Sequence, residues 1–227
     1  LLDGPQTSAD DLLAQTLKLR PFNGQVLFVA GRDAILHGDA ETGIEYWKKA
    51  FHRNEYIQRQ IMHHLAQLTP SVTDLLLEQG FEPDIAALER LVEVTESLQQ
   101  PVERGKALNL LAGKLVERAS GEINRERAAD WLRAGWAYRE LGEVAEVTTC
   151  LDKALESAPS NFVVRLEFAS WKLDQNLSSD AREHLEWCQR HAPEHPKVRH
   201  LMDRAMSRHA GVPSLRPAGA DFQNRRF

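Results

Sequence analysis

The stretch WLRAGWAYRELGEVAEVTTCLDKALESAP, Trp131 to Pro159, decides the fold. It reads as two helices joined by a tight turn. Trp131 is a bulky anchor, Gly135 a small residue suited to close helix approach, and Tyr138 an aromatic three residues on. Gly142 marks the turn, Ala154 is the small residue of the second helix, and Pro159 ends it, since proline cannot continue a helix. Adding 34 to Pro159 reaches Pro193, and the residues between keep Ala169, Ala181 and Leu185 at the small and large positions. Self-similarity at a fixed period means that each helix pair buries its apolar face only against neighbouring pairs.

Working outward, residues 24–56 place Leu27, Gly31, Ala34, Gly38, Trp47 and Ala50 at the same offsets. Gly43 stands where an alanine is expected, and no proline closes the unit. Ala9 to Pro21 reads as the second helix and closing proline of a preceding unit, and residues 195–209 as a lone capping helix. Residues 57–127 keep apolar positions at helical spacing but lose the signature, as degenerate repeats would. The spacing predicts helices over 127–141, 144–157, 161–174, 178–191 and 195–209, and about twelve short helices in all. The chain is therefore expected to be all-α, with residues 1–210 forming one continuous array whose clearest units are 24–56, 128–161 and 162–195. Residues 211–227, with no apolar period, are expected to form a flexible tail.

Composition is consistent with this and excludes several classes. The chain has 227 residues, 42% hydrophobic and 27% charged, which is ordinary for a globular protein and unlike collagen, disordered or disulfide-scaffold sequences. The longest apolar run, Val26 to Ala30, is far short of the roughly 18 residues of a membrane span. Twenty-eight basic residues against 33 acidic ones give a net charge of -5, which disfavours nucleic acid. Cys150 and Cys188 lack metal-site or redox spacing. The first residue is Leu1, no signal peptide follows, and the chain reads as a piece of a longer protein.

The Trp131–Pro159 pattern and its copies resemble the tetratricopeptide repeat. That resemblance implies a right-handed solenoid of antiparallel helix pairs whose concave surface is lined by the first helix of each pair. Carried over residue by residue, it implies partner-facing positions at Phe28 and Arg32, at Leu132, Arg133, Trp136 and Arg139, and at Leu166. Gln25, Ile35, Ala129, Val163, Glu167, Ser170 and Leu173 complete the positions so implied. The expected groove is apolar with arginines, and Trp136 with Arg139 is its centre, tryptophan and arginine being enriched at binding hot spots. Two readings of this pair stay open: partner binding, or Trp136 packed on the adjoining repeat with Arg139 solvated. Leu132 and Trp136 replace the Lys and Asn with which some family members hold a terminal carboxylate, so an apolar extended or helical protein segment is the expected partner.

Residues 19–53 are also similar to the repeat region of bacterial O-antigen-ligase-like membrane proteins. That likeness implies an alternative, a regulatory or substrate-guiding segment of a larger membrane-anchored enzyme. Within the chain no phosphate loop, dinucleotide-binding glycine pattern, zinc-protease helix or nucleophile elbow occurs, so the expectation is a non-catalytic module without a cofactor. His184, Cys188 and His191 lie at i, i+4 and i+7, a spacing open to metal, but Cys188 falls at a core position and no metal is expected. Asn176-Leu177-Ser178 matches a glycosylation sequon, and Ser178 is read instead as a helix cap.

Overall fold

The computed structural model describes residues 9–121 and 127–209. Among them are twelve α-helices and no strand: α1 (Ala9–Leu19), α2 (Gly24–Leu36), α3 (Ala40–Phe51), α4 (Glu55–Leu68), α5 (Val72–Glu78), α6 (Ile85–Ser97), α7 (Pro101–Ala119), α8 (Ala128–Leu141), α9 (Val144–Ser157), α10 (Phe162–Asp174), α11 (Ser178–His191) and α12 (Pro196–His209). The fold is all-α, as expected, and the five helices expected after residue 127 begin within one residue of their expected starts. The tail at 211–227 lies outside the described residues.

Local chemistry sets the helix ends. Asn23, Asp39, Asn54 and Asp84 each accept the N–H of the third residue on, at 2.7–3.1 Å, and Asn161 accepts from both Val163 and Val164. Each such cap is worth about 1 kcal/mol. Five helix-to-helix turns, at Gly38, Gly80, Gln99, Gly142 and Asn176, share one backbone form. Gly38, Gly142 and Asn176 take φ of +87°, +78° and +61°. The N–H just beyond each bonds back five residues: Asp39 to Ala34, Glu143 to Tyr138, Leu177 to Lys172, at 2.8–3.0 Å. Asn176 lies 34 residues after Gly142 and substitutes for glycine because asparagine tolerates the left-handed region. The sequon asparagine is thus a turn residue. Ser178 is not the cap expected of it, since it lies inside α11 and Leu177 holds the cap position without a side-chain bond.

The contacts divide into two compact units, Leu1–Leu115 with Glu140–Gly142, and Val116–Arg139 with Glu143–Phe227. In the first, α2 and α3 form a hairpin, α4 packs on both, and α6 packs on α4. Leu27, Trp47, Phe51, Ile57, Ile61 and Leu65 are buried at its core. Trp47 donates its indole N–H to the Phe28 carbonyl at 3.0 Å, and Phe51 meets Phe81 edge-on at 5.2 Å. Gly43, the departure from the repeat pattern, has a packing reason. A Cβ there would overlap Ile35 and sit 2.8 Å from the Gly31 carbonyl, so α2 and α3 cross backbone to backbone.

Polar contacts within the first unit recur near the repeat length even where the signature is lost. Arg59 pairs with Glu93 and the Gln100 amide bonds the Ala66 carbonyl, each across 34 residues. The buried Glu103 carboxylate accepts the Thr73 N–H at 2.8 Å across 30 residues, taking over the start of α5, where Ser71 makes no side-chain cap.

In the second unit α10 packs against α9, α11 and α12. Leu166, Ala169, Leu173, Ala181, Leu185, Cys188, Val198, Leu201 and Ala205 form one continuous core. At about 1.5–3 kcal/mol per buried large aliphatic side chain, this core holds the unit together.

Candidate functional site

The first helices of successive pairs, α8, α10 and α12, carry the candidate face of the second unit. Leu132, Leu166 and Leu173 turn inward, while Val163 stays 48% exposed. Leu132 and Leu166 are 5% and 4% exposed, and Leu166 belongs to the core already described. In the first unit Phe28 is 6% exposed, 6.0 Å from the parallel ring of Trp47. These three residues lie within the helix layers, and the reason is the short helix spacing that a small residue at Gly31, Gly135 and Ala169 permits. What remains accessible from the expected set is Gln25, Arg32 and the half-buried Ile35 in the first unit, and in the second Ala129 and Val163, which are exposed, with Arg133, Trp136 and Arg139, which are half-buried.

Arg139 is not simply solvated. It pairs with Asp174 of α10 and lies over the Trp171 ring, 5.6 Å from its centroid. Asp174 also accepts from Arg204 of α12. One carboxylate thereby links three successive first helices, with sequence separations of 35 and 30 residues. Lys197 of α12 also pairs with Glu167 of α10. At the other end Arg118 grips Asp130 with two bonds, 2.7 Å and 2.5 Å, and Arg133 approaches the same carboxylate at 3.6 Å. Trp171 is fixed by its indole N–H, which donates to Thr148 Oγ1 at 3.0 Å.

Asp130, Asp174, Lys197 and Arg204 were not among the residues expected from sequence. The readable signal was opposite charge recurring near the repeat length, at 139 and 174 and again at 174 and 204. Hydrophobic offsets do not report it.

The His184, Cys188, His191 spacing does not gather ligands. Cys188 is fully buried, its thiol pushed up to about 11 by burial and set 3.9 Å from the Phe162 carbonyl. His184 contacts Phe168 at 4.7 Å between ring centroids and Arg165 at 3.3 Å, while His191 stacks on Trp187 at 3.8 Å. Burial, then the Arg165 charge, holds the His184 ring below the usual histidine range. Among the described residues no group of three or more His, Cys, Asp or Glu side chains is arranged to hold a metal, and no helix is long and apolar enough to cross a membrane.

No family model matches the chain, and no curated protein sequence matches it. Several solved structures match the chain at low identity over most of its length. The APC/C hetero-tetramer Cut9-Hcn1 is 16% identical with a TM-score of 0.44, over 86% of this chain and 38% of that one. TTC0263, a thermophilic TPR protein of Thermus thermophilus, is 16% identical with a TM-score of 0.43, over 82% and 100%. YrrB, a TPR protein with an unusual peptide-binding site, is 14% identical with a TM-score of 0.47, over 86% and 100%. The chain spans 38% of the Cut9-Hcn1 chain it matches. Two of these three structures are named TPR proteins, and function has to be argued from the residues themselves.

Proposed function

We propose that the chain is a non-catalytic protein-interaction module, and that the α8–α10–α12 face of its second unit receives a segment of a partner protein around Trp136. The observation that carries this reading is the composition of that face. Trp136 is half-buried between Arg133 and Arg139, one helical turn to either side, and both arginines are ion-paired to carboxylates that restrict their rotamers. A rigid aromatic flanked by pre-ordered guanidinium groups gives a partner large contact area at a small entropic cost.

Mutation of Trp136 tests the proposal. Partners retained by the wild-type chain from its own host extract should be lost from Trp136→Ala, whose affinity for an identified partner falls by about 2 kcal/mol, roughly 30-fold. Helical circular dichroism should stay at the wild-type level. A folded Trp136→Ala chain that keeps every partner at full affinity removes the face from the proposal.

A further inference from the structure

We infer that α10 and α11 form a site for a doubly charged oxyanion of the phosphate monoester class, centred on Arg165 and separate from the α8–α10–α12 face. Arg165 and Lys172 lie seven residues apart on the side of α10 that meets α11, with Phe168 between them. Both are half-buried, and among the described residues neither pairs with a carboxylate. Lys197 and Arg204 of the same unit, equally half-buried, pair with Glu167 and Asp174.

Arg165 is held from three directions. Its Nε donates to the Pro159 carbonyl at 2.6 Å, a terminal nitrogen donates to His184 Nδ1 at 3.3 Å, and the guanidinium lies 4.7 Å from the centre of the Trp187 ring. A guanidinium only donates, so Nδ1 accepts and the neutral imidazole carries its proton on Nε2. His184 in turn packs on Phe168 at 4.7 Å, and the Lys172 ammonium lies 4.9 Å from the centre of that same ring. That ammonium makes no hydrogen bond among the described residues, so the flexible four-carbon stem can swing it toward Arg165.

Two positive charges thus stand without a paired carboxylate in a chain of net charge -5. Their effect is visible at His184, where burial and then Arg165 hold the ring below the usual histidine range, Lys172 adds to this, and Glu183 and Asp180 of α11 oppose. An uncompensated cluster of this kind costs the fold stability, as functional sites do. A phosphate monoester, which carries close to two negative charges near neutral pH, matches it. The second terminal nitrogen of Arg165, the Lys172 ammonium and His184 Nε2 supply donors for its oxygens. A single carboxylate would leave one cation unmatched.

Sulfate is the probe, because it stays doubly charged across the histidine range. NMR pH titrations of the His184 imidazole, identified by its loss in His184→Asn, compare sodium sulfate with sodium chloride and sodium acetate at equal ionic strength. An anion beside the ring favours its charged form, so the His184 midpoint should be at least about half a pH unit higher in sulfate than in chloride, with acetate within about 0.2 of chloride. The exposed His200 should show no such difference. Arg165→Gln and Lys172→Gln, each alone, should abolish the sulfate effect, whereas Arg182→Gln, exposed on α11, should keep it. Should Arg165→Gln fail to fold, Lys172→Gln carries the test.

Glycerol phosphate and a phosphoserine peptide of about ten residues separate the two carriers of such a group: at least about tenfold tighter binding of the peptide assigns a partner segment, and equal affinity a free phosphorylated compound. Equal His184 midpoints in sulfate and chloride would overturn the site. An equal rise in acetate would overturn the dianion, and a sulfate effect that survives both substitutions would overturn the roles of Arg165 and Lys172.

Discussion

Gly31 of the first unit and Gly135 of the second hold the same place in their repeats, seven residues into units that begin at 24 and 128, yet they face different surroundings. At Gly31 an added Cβ would overlap the Trp47 indole and approach the Gly43 carbonyl to 2.8 Å. At Gly135 it would meet Cys150 Cβ at 3.4 Å and Leu151 Cγ at 3.8 Å, ordinary contact distances. Ala169, the third member of the set, already has its Cβ and is fully buried. A repeat signature thus specifies that a position is small. Whether it must be glycine depends on the facing helix, here on whether that helix presents an indole or a cysteine.

The largest expected effect breaks this equivalence directly. Gly31→Ala should destabilise the first unit by about 2–3 kcal/mol, because Trp47 is anchored through its indole N–H and cannot retreat without losing that bond. Denaturant unfolding followed by tryptophan fluorescence would measure it. A stability change within about 0.5 kcal/mol would mean that α2 and α3 can separate freely, contrary to their crossing at Gly31 and Gly43.

Next in size is Glu103→Gln, also in the first unit. Its carboxylate receives the Thr73 N–H and the Lys106 ammonium at 2.9 Å while almost fully buried. Charge-assisted bonds of this type contribute about 1.5–3 kcal/mol, and a glutamine oxygen retains part of that. A loss of about 1–2 kcal/mol is expected, with faster hydrogen exchange at the Thr73 amide. Unchanged exchange there would show that the carboxylate does not hold the start of α5.

How far these differences could be read in advance follows from the same residues. Hydrophobic spacing and turn residues revealed the helices, because burial of one helix face and the left-handed turn at Gly38 and Gly142 are local demands written at fixed offsets. The candidate face was legible only in part. Repeat offsets located Arg133, Trp136 and Arg139 but could not separate them from Leu132 and Leu166 at neighbouring offsets. That division depends on helix spacing, a three-dimensional property. Asp174 and Arg204 fell outside those offsets for another reason: their pairing joins residues 30 positions apart, short of the 34-residue period, on helices whose relative rotation no local pattern encodes.

Gly135→Ala should act in the opposite direction to Gly31→Ala and more weakly. The new methyl meets no overlap, and alanine costs less helix entropy than glycine in the middle of α8, so a gain of about 0.5–1 kcal/mol is expected. Thermal unfolding of the two variants side by side would show opposite shifts. Loss of stability at both would mean that the α8–α9 approach is as tight as the α2–α3 crossing.

The two units also each contain a half-buried histidine, and here the expectation is similarity of sign. His64 lies against the rings of Phe28 and Trp47, and burial, followed by His63 and Arg32, holds it below the usual histidine range. His184 is lowered first by burial, then by Arg165 and less by Lys172 of α10, with Glu183 and Asp180 on its own helix opposing. For a histidine lowered in the folded state, the unfolded chain binds more protons between the folded value and about 6.5. The associated stability is fully present above about pH 6.5 and is lost as pH falls through the interval toward the folded value. Unfolding free energies between about pH 7.5 and 5.5 should therefore decline more steeply in the wild-type chain than in His64→Gln or His184→Asn, with the two corrections additive because the sites share no partner. A steeper decline in either variant would reverse the sign and place that imidazole among groups that favour its charged form.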